Sequence, residues 1–264
     1  MVLYYGIHKL FLGGLAMKKI TALLLAMAMI LSLTACGKSN ATKKYIIATD
    51  TTFAPFEFEN ESGDMVGIDL DILKAIAEDQ GFDYELQVLG FSAAVTALES
   101  GQCDGVIAGM SITDERKQKY DFSDPYYESG VGMAVKADSA IASYDDLNGQ
   151  TVSAKVGTEG CKFAESIADQ YGFTVTQFED SSSMYQDVLS GNSVACFEDY
   201  PVMGYEISRG MALKLPLAME AGSPYGFATM KGATPELVEM FNKGFANIKA
   251  SGKYDEILNT YIAK

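Results

Sequence analysis

VIAGMSITDERKQKYDFSDPYY, Val106 to Tyr127, is the stretch whose reading decides the fold. Val106, Ile107 and Ala108 form a short apolar run of the kind that makes a buried strand, expected from Val106 to Met110, and Gly109 brings the backbone out at its carboxyl edge. Thr113 is a good N-cap with Asp114 and Glu115 behind it, so a helix is expected to begin there with Arg116 on its first turn. An arginine beside the free N–H groups and positive end of a helix is electrostatically misplaced unless an anion meets it. Its planar fork matches a carboxylate with two parallel hydrogen bonds. A solvated arginine on an exposed helix is the competing reading, and the rest of the chain has to decide between them.

Upstream, Met17 opens MKKITALLLAMAMILSLTACG: two lysines, an apolar run, then Leu33, Thr34, Ala35 and Cys36. This order reads as a signal peptide rather than a core helix. Its last four residues resemble the lipobox of bacterial lipoproteins, which implies a lipid on Cys36 as the new N-terminus outside the cytoplasmic membrane. Residues 1–16 read as an upstream start, so residues 1–36 are taken as leader and residues 37–44 as a polar tether. Three of the 20 basic residues (Lys9, Lys18, Lys19) and none of the 35 acids lie in the leader, leaving 17 basic against 35 acidic and a formal charge of −18. Nucleic acid and anionic membrane are poor partners for such a surface. The one histidine, His8, also falls in the leader. Ser-His-Asp or Cys-His catalysis and histidine metal sites are thereby excluded from the remainder. Cys103, Cys161 and Cys196 are too scattered for a metal cluster, and only Cys161 with Cys196 could be bridged.

Past the tether the pattern alternates. Tyr45 to Thr49 reads as a strand, Thr51 to Phe58 as an aromatic loop, and Gly67 to Gly81 as a helix with Asp69 as its cap. Strand Tyr84 to Leu89, helix Ser92 to Ser100 and the Val106 strand come next, an order that implies a parallel sheet. Ser129 to Lys136 is extended, as for a segment crossing between domains. The plan then recurs: strand Thr151 to Lys155, helix Cys161 to Gln170, strand Thr174 to Phe178, helix Met184 to Ser190, strand Ser193 to Phe197. ALESGQCDGVIAG (Ala97 to Gly109) and DVLSGNSVACFED (Asp187 to Asp199) even share a helix end, a Ser-Gly stop and an apolar strand. Ala221 to Met230 reads as a second crossing, Thr234-Pro235-Glu236 as the cap of a long helix, and Tyr254 as the start of a terminal one. The expectation is an α/β chain of two lobes, each a sheet flanked by helices, joined by a two-stranded hinge: residues 45–128 with 225–264, and residues 129–224. Hinges of that kind close clefts.

Ligands of such lobes sit beyond the carboxyl ends of the strands. There stand Asp50 with Phe53, Phe91, Gly109 to Ser111 with Arg116, Lys155 with Gly157 to Glu159, and Glu198 with Asp199. Both charges with aromatics between them suit a zwitterion. From Tyr45 onward the chain resembles the solute-binding proteins of ABC importers for polar amino acids, most of all the glutamine-binding ones. The resemblance is carried by ATDTTFAPFEF (Ala48 to Phe58), GIDLDI (Gly67 to Ile72), AGMSITDERK (Ala108 to Lys117), DFSDPYY (Asp121 to Tyr127) and FEDYP (Phe197 to Pro201). It implies Arg116 as carboxylate clamp and Asp199 as ammonium partner, with Gly109, Ser111 and the Glu159 amide as further bonds. Phe53 and Phe91 would be walls, Asp50 and Lys155 contacts for a side-chain amide, and Met110 and Thr158 their neighbours in the site. The sequence departs at Glu198, where the best-known glutamine binder has a histidine.

The resemblance further implies a monomeric binder of free glutamine that serves ABC permease subunits, with no cofactor, no metal and no catalytic residue. Two alternatives stand beside it. If Glu198 also points inward, arginine, lysine or histidine becomes the runner-up to glutamine, and the rest of the family adds cystine as a third choice. Cyclohexadienyl dehydratases, which share the fold, would instead use Glu198 or Lys155 as acid or base.

Overall fold

The computed structural model describes residues 43–220 and 222–262, and the leader, Cys36 and Ala221 lie outside them. The first half runs β1 (Lys44–Thr49), β2 (Thr52–Phe53), β3 (Glu57–Glu59), β4 (Met65–Val66), α1 (Ile68–Gln80), β5 (Asp83–Val88), α2 (Phe91–Glu99), β6 (Gly105–Val106), a 3-10 turn (Arg116–Gln118) and β7 (Tyr120–Phe122). Next come β8 (Val131–Lys136), β9 (Thr151–Lys155), α3 (Glu159–Tyr171), β10 (Thr174–Phe178), α4 (Ser181–Ser190), β11 (Ala195–Asp199), α5 (Tyr200–Ser208) and β12 (Leu213–Lys214). The chain ends in β13 (Ala228–Met230), α6 (Pro235–Ala250) and α7 (Lys253–Tyr261).

Two sheets share one plan. The first has the order β5-β1-β6-β13-β7 and the second β10-β9-β11-β8-β12. In each, the first three strands are parallel and the fourth is antiparallel to its neighbours. That fourth strand, β13 or β8, is the one that comes after a crossing segment. Each crossing pairs with a residue at the edge of the other: Tyr225 N–H donates to the Tyr127 carbonyl at 2.8 Å and Glu220 N–H to the Val131 carbonyl at 2.9 Å.

Both faces of each sheet are covered, so strand alternation feeds two cores per sheet. Ile47, Ile72, Ile76, Phe227, Phe241 and Phe245 fill the side under α1 and α6, and Ala48, Ala94, Leu98, Val106 and Ala228 the side under α2. In the second sheet Met133, Val135 and Phe197 face α3, while Ala134, Cys196 and Leu213 face α4 and α5. The three cysteines outside the leader are buried and free, so Cys161 and Cys196 are not bridged.

Several local expectations change. Asp69 caps nothing: α1 starts after Gly67, whose φ of 142° and close approach to the Phe56 carbonyl admit no side chain. The strand at Val106 is two residues long. The helix expected at Thr113 is only the 3-10 turn, because Tyr120 already joins β7; Thr113 Oγ1 still accepts the Arg116 N–H at 3.2 Å. α4 begins three residues early because Asp180 accepts the Ser183 N–H at 2.7 Å. Thr234 spends its hydroxyl on the Asp104 carbonyl instead of capping α6. α5, with a proline in its first turn, is an element the sequence pattern does not announce.

Candidate functional site

The strand ends of the two sheets meet. Asp50 follows β1, is 1% exposed, and accepts a bond from the ammonium of Lys155, the last residue of β9 and fully buried. Asp50 Oδ1 also takes the Thr51 N–H at 2.7 Å. The Lys155 ammonium lies 5.4 Å from the Phe53 ring centre, and the Arg116 guanidinium 5.5 Å from that of Phe91. Arg116 donates to the Ser111 carbonyl from Nη1 and to the Gly157 carbonyl from Nη2, both at 3.0 Å, and Nη2 lies 3.6 Å from Glu159 Oε1. Burial lowers its pKa, and Glu159 and Asp199 work against that. At the rim Lys162 bridges Glu115 at 2.7 Å, Ser92 reaches Glu179 at 3.2 Å, and the Thr52 hydroxyl receives the Ser181 N–H at 3.1 Å. The two walls are in contact.

A cavity of about 10 Å³ remains between them, room for about one water. Of the residues singled out at the strand ends, all line it except Met110, Gly157 and Glu198, and Ala108 joins them. Met110, between Gly109 and Ser111, sends its side chain to the opposite side, into the core under α2. Glu198 is likewise displaced from the site. Neighbours along a strand face opposite ways, so with Asp199 on the cavity, Glu198 turns from it and accepts the Ser181 hydroxyl at 2.7 Å. Burial raises its pKa, with Lys155 pulling the other way. Thr158 caps α3 by accepting the Cys161 N–H at 3.2 Å, which leaves the first-turn N–H groups, that of Glu159 among them, at the cavity edge.

Asp199 sits at about 7, raised by burial and by Glu198. The bond from the Tyr225 hydroxyl, 2.5 Å long, holds it from going higher. Tyr225 escapes the sequence reading, though it lies in the stretch taken for the second crossing.

Behind Gly109 lies a buried acid pair that the sequence reading also misses. Asp69 Oδ2 accepts the Gly109 N–H at 2.8 Å and the Tyr126 hydroxyl at 2.7 Å, and its other side meets Glu57. No donor among the described residues reaches either Glu57 oxygen or Asp69 Oδ1. Two buried carboxyls so placed hold a proton between them. Burial and the neighbouring Asp69 push Glu57 well above its ordinary 4.5, and burial lifts Asp69 from 3.8 to about 6. Because both are raised, the stability they lend is complete below these ordinary values and is lost as pH climbs, through about 6 for Asp69. Glu57→Gln keeps a donor and never ionises. It should therefore gain on the wild type in urea midpoint as pH rises from 4 to 8; a difference that is the same at both pH values would refute the shared proton.

Residues 45–264 match the model of the bacterial extracellular solute-binding proteins, family 3. The chain is 34% identical over 251 residues to the arginine-binding extracellular protein ArtP of Bacillus subtilis, covering 91% of this chain and 96% of that one. Among solved structures, substrate binding domain 2 of Lactococcus lactis GlnP in open conformation is 43% identical with a TM-score of 0.60, over 86% of this chain and 98% of its own. An ancestral arginine-binding protein bound to glutamine is 36% identical with a TM-score of 0.77, over 84% and 98%. These relatives are named as binding proteins, and their two-lobed fold is the one described above. With residues 45–264 inside the match, the chain belongs to the bacterial extracellular solute-binding proteins, family 3.

Proposed function

We propose that the protein captures a free polar L-amino acid, glutamine before others, between two lobes, residues 45–128 with 225–264 and residues 129–224, and delivers it to an ABC permease. The observation that carries the choice of glutamine is the pairing of Asp50 with Lys155 while Glu198 is held by Ser181. One acceptor and one donor match a carboxamide, its NH₂ to Asp50 and its oxygen to Lys155. Arg116 with the Ser111 hydroxyl takes the carboxylate, and Asp199 with the Gly109 carbonyl the ammonium. Phe53 and Phe91 wall the carbon chain, and the amide of Glu159 adds a bond from α3. A glutamate ligand brings an anion to Asp50 and is rejected by the cost of a repelled buried charge, several kcal/mol. A basic ligand meets the like charge of the Lys155 ammonium, and Glu198, the second acid near it, is held by the Ser181 hydroxyl away from the cavity. Since the cavity is far smaller than an amino acid, entry requires the walls to part at the crossings.

Titration calorimetry against glutamine, glutamate, arginine, histidine and cystine tests this. Glutamine is expected to bind tightest, and tight glutamate or arginine binding with no glutamine heat would overturn it.

For the location, the order of lysines, apolar run and Cys36 supports translation from Met17 and a lipid anchor on Cys36 outside the membrane. Mass spectrometry of the membrane-extracted protein should show a diacylglyceryl cysteine. A soluble product starting elsewhere would refute it.

A further inference from the structure

The site reaches into the hinge through one tyrosine. Tyr225 is fully buried in the second crossing, its ring 5.0 Å from that of Phe56 and 6.0 Å, stacked, from that of Tyr127. Its hydroxyl donates to Asp199 Oδ2 at 2.5 Å and receives the hydroxyl of Ser129, from the first crossing, at 2.9 Å. While Asp199 is ionised the direction of this chain is fixed. An ionised carboxylate only accepts, so Tyr225 must donate to it and is left to accept from Ser129. Each crossing segment thus contributes one hydroxyl to a chain of two bonds that ends at a carboxylate on the cavity wall, Ser129 to Tyr225 and Tyr225 to Asp199.

We propose that Tyr225 and Ser129 are positioning residues for ligand capture: the relay from Ser129 through Tyr225 to Asp199 sets the orientation and ionisation of the group that receives the ligand ammonium, and ties it to the pivot of the hinge. This rests on the reading of Asp199 as the ammonium partner. The relay fixes Oδ2 and leaves Oδ1 to the ligand. The other titratable groups that act on Asp199 are Glu198 on its own strand and Glu159 at the start of α3, both disfavouring its charge, and Arg116 from the 3-10 turn, favouring it. Opposite on β8 its partner is the uncharged Val131. With a carboxyl at about 7, the Tyr225 bond decides how much of it is ionised near neutral pH. Ligand capture therefore weakens as pH falls through this value, and weakens sooner without the Tyr225 hydroxyl.

Tyr225→Phe keeps the ring packing and removes the donor, and Ser129→Ala removes the outer step and serves where the first variant folds poorly. Two readings are taken. In the ligand-free protein, carbon NMR of the Asp199 carboxyl follows its titration directly. Both variants should move the midpoint upward, Tyr225→Phe more. In calorimetry with glutamine, Tyr225→Phe should lose about tenfold or more in affinity at pH 6.5 and progressively less toward pH 8.5. An unmoved Asp199 midpoint in the variants, or a loss of affinity equal at every pH, overturns the relay, since a purely structural tyrosine would act so. Absence of glutamine heat in the wild type counts against the glutamine reading instead, and the NMR titration still decides the relay.

Discussion

Replacing Arg116 with alanine is expected to cost about 3–5 kcal/mol of amino-acid binding, more than about a hundredfold in Kd. Arg116 is buried and its guanidinium already touches both walls, through the Ser111 carbonyl on one and the Gly157 carbonyl on the other. A ligand carboxylate closed in between those walls has lost its water and has no comparable donor to replace the fork. Arg116→Lys keeps the charge but only a point of it, so it should recover part of the loss. Calorimetry with glutamine measures both, and a loss below about tenfold for the alanine variant would remove Arg116 from the site.

Breaking the Asp50 and Lys155 pair is expected to show in stability as well as in binding. Both side chains are 1% exposed, and each is the charge that permits the other to be there. Lys155→Met, close in volume, leaves the Asp50 carboxyl buried without its partner and should cost about 3–5 kcal/mol of unfolding free energy in the ligand-free protein. Adding Asp50→Asn removes the stranded carboxyl and should return most of it. The urea midpoints of the two single variants and the double variant test this. If the single and double variants unfold together, the pair is not coupled. Glutamine binding, by contrast, should be lost in Lys155→Met and in the double variant, because the carboxamide loses its donor. A basic amino acid should fare better in Lys155→Met than in the wild type.

How much of the fold and site is legible in the sequence depends on where the information lies. The β1 and β5 strands can be read to within a residue, since β-branched and apolar residues bounded by turn formers leave few alternatives. The Arg116 corner is legible in its chemistry and misleading in its helix. The cap at Thr113 is local and visible, whereas what ends the turn after three residues is the pairing of Tyr120 with Met230, a contact across the chain. Glu198 and Asp199 illustrate the harder limit. Two acids in succession at a strand end are equal candidates on composition, and only the register of β11 against β8 and β9 decides which one faces the cavity. The Glu57 and Asp69 pair is hidden for a similar reason. GIDLDI offers Asp69 as a cap, and nothing local says that a carboxyl from β3 and an N–H from Gly109 meet it in the interior.

The place of β13 in the first sheet constrains the order in which the protein can be made. β6 and β7 do not touch; β13, from near the C-terminus, lies between them, and α6 packs on α1 from the same late segment. The strands of the second sheet all lie within residues 131–214. During synthesis from the N-terminus, the half that emerges first is therefore the half that finishes last, while the later, contiguous half can close on its own. The first half of the described chain is then kept unfinished until the last strand and helices have been made, so a truncation near the C-terminus strikes first at the sheet that begins the fold.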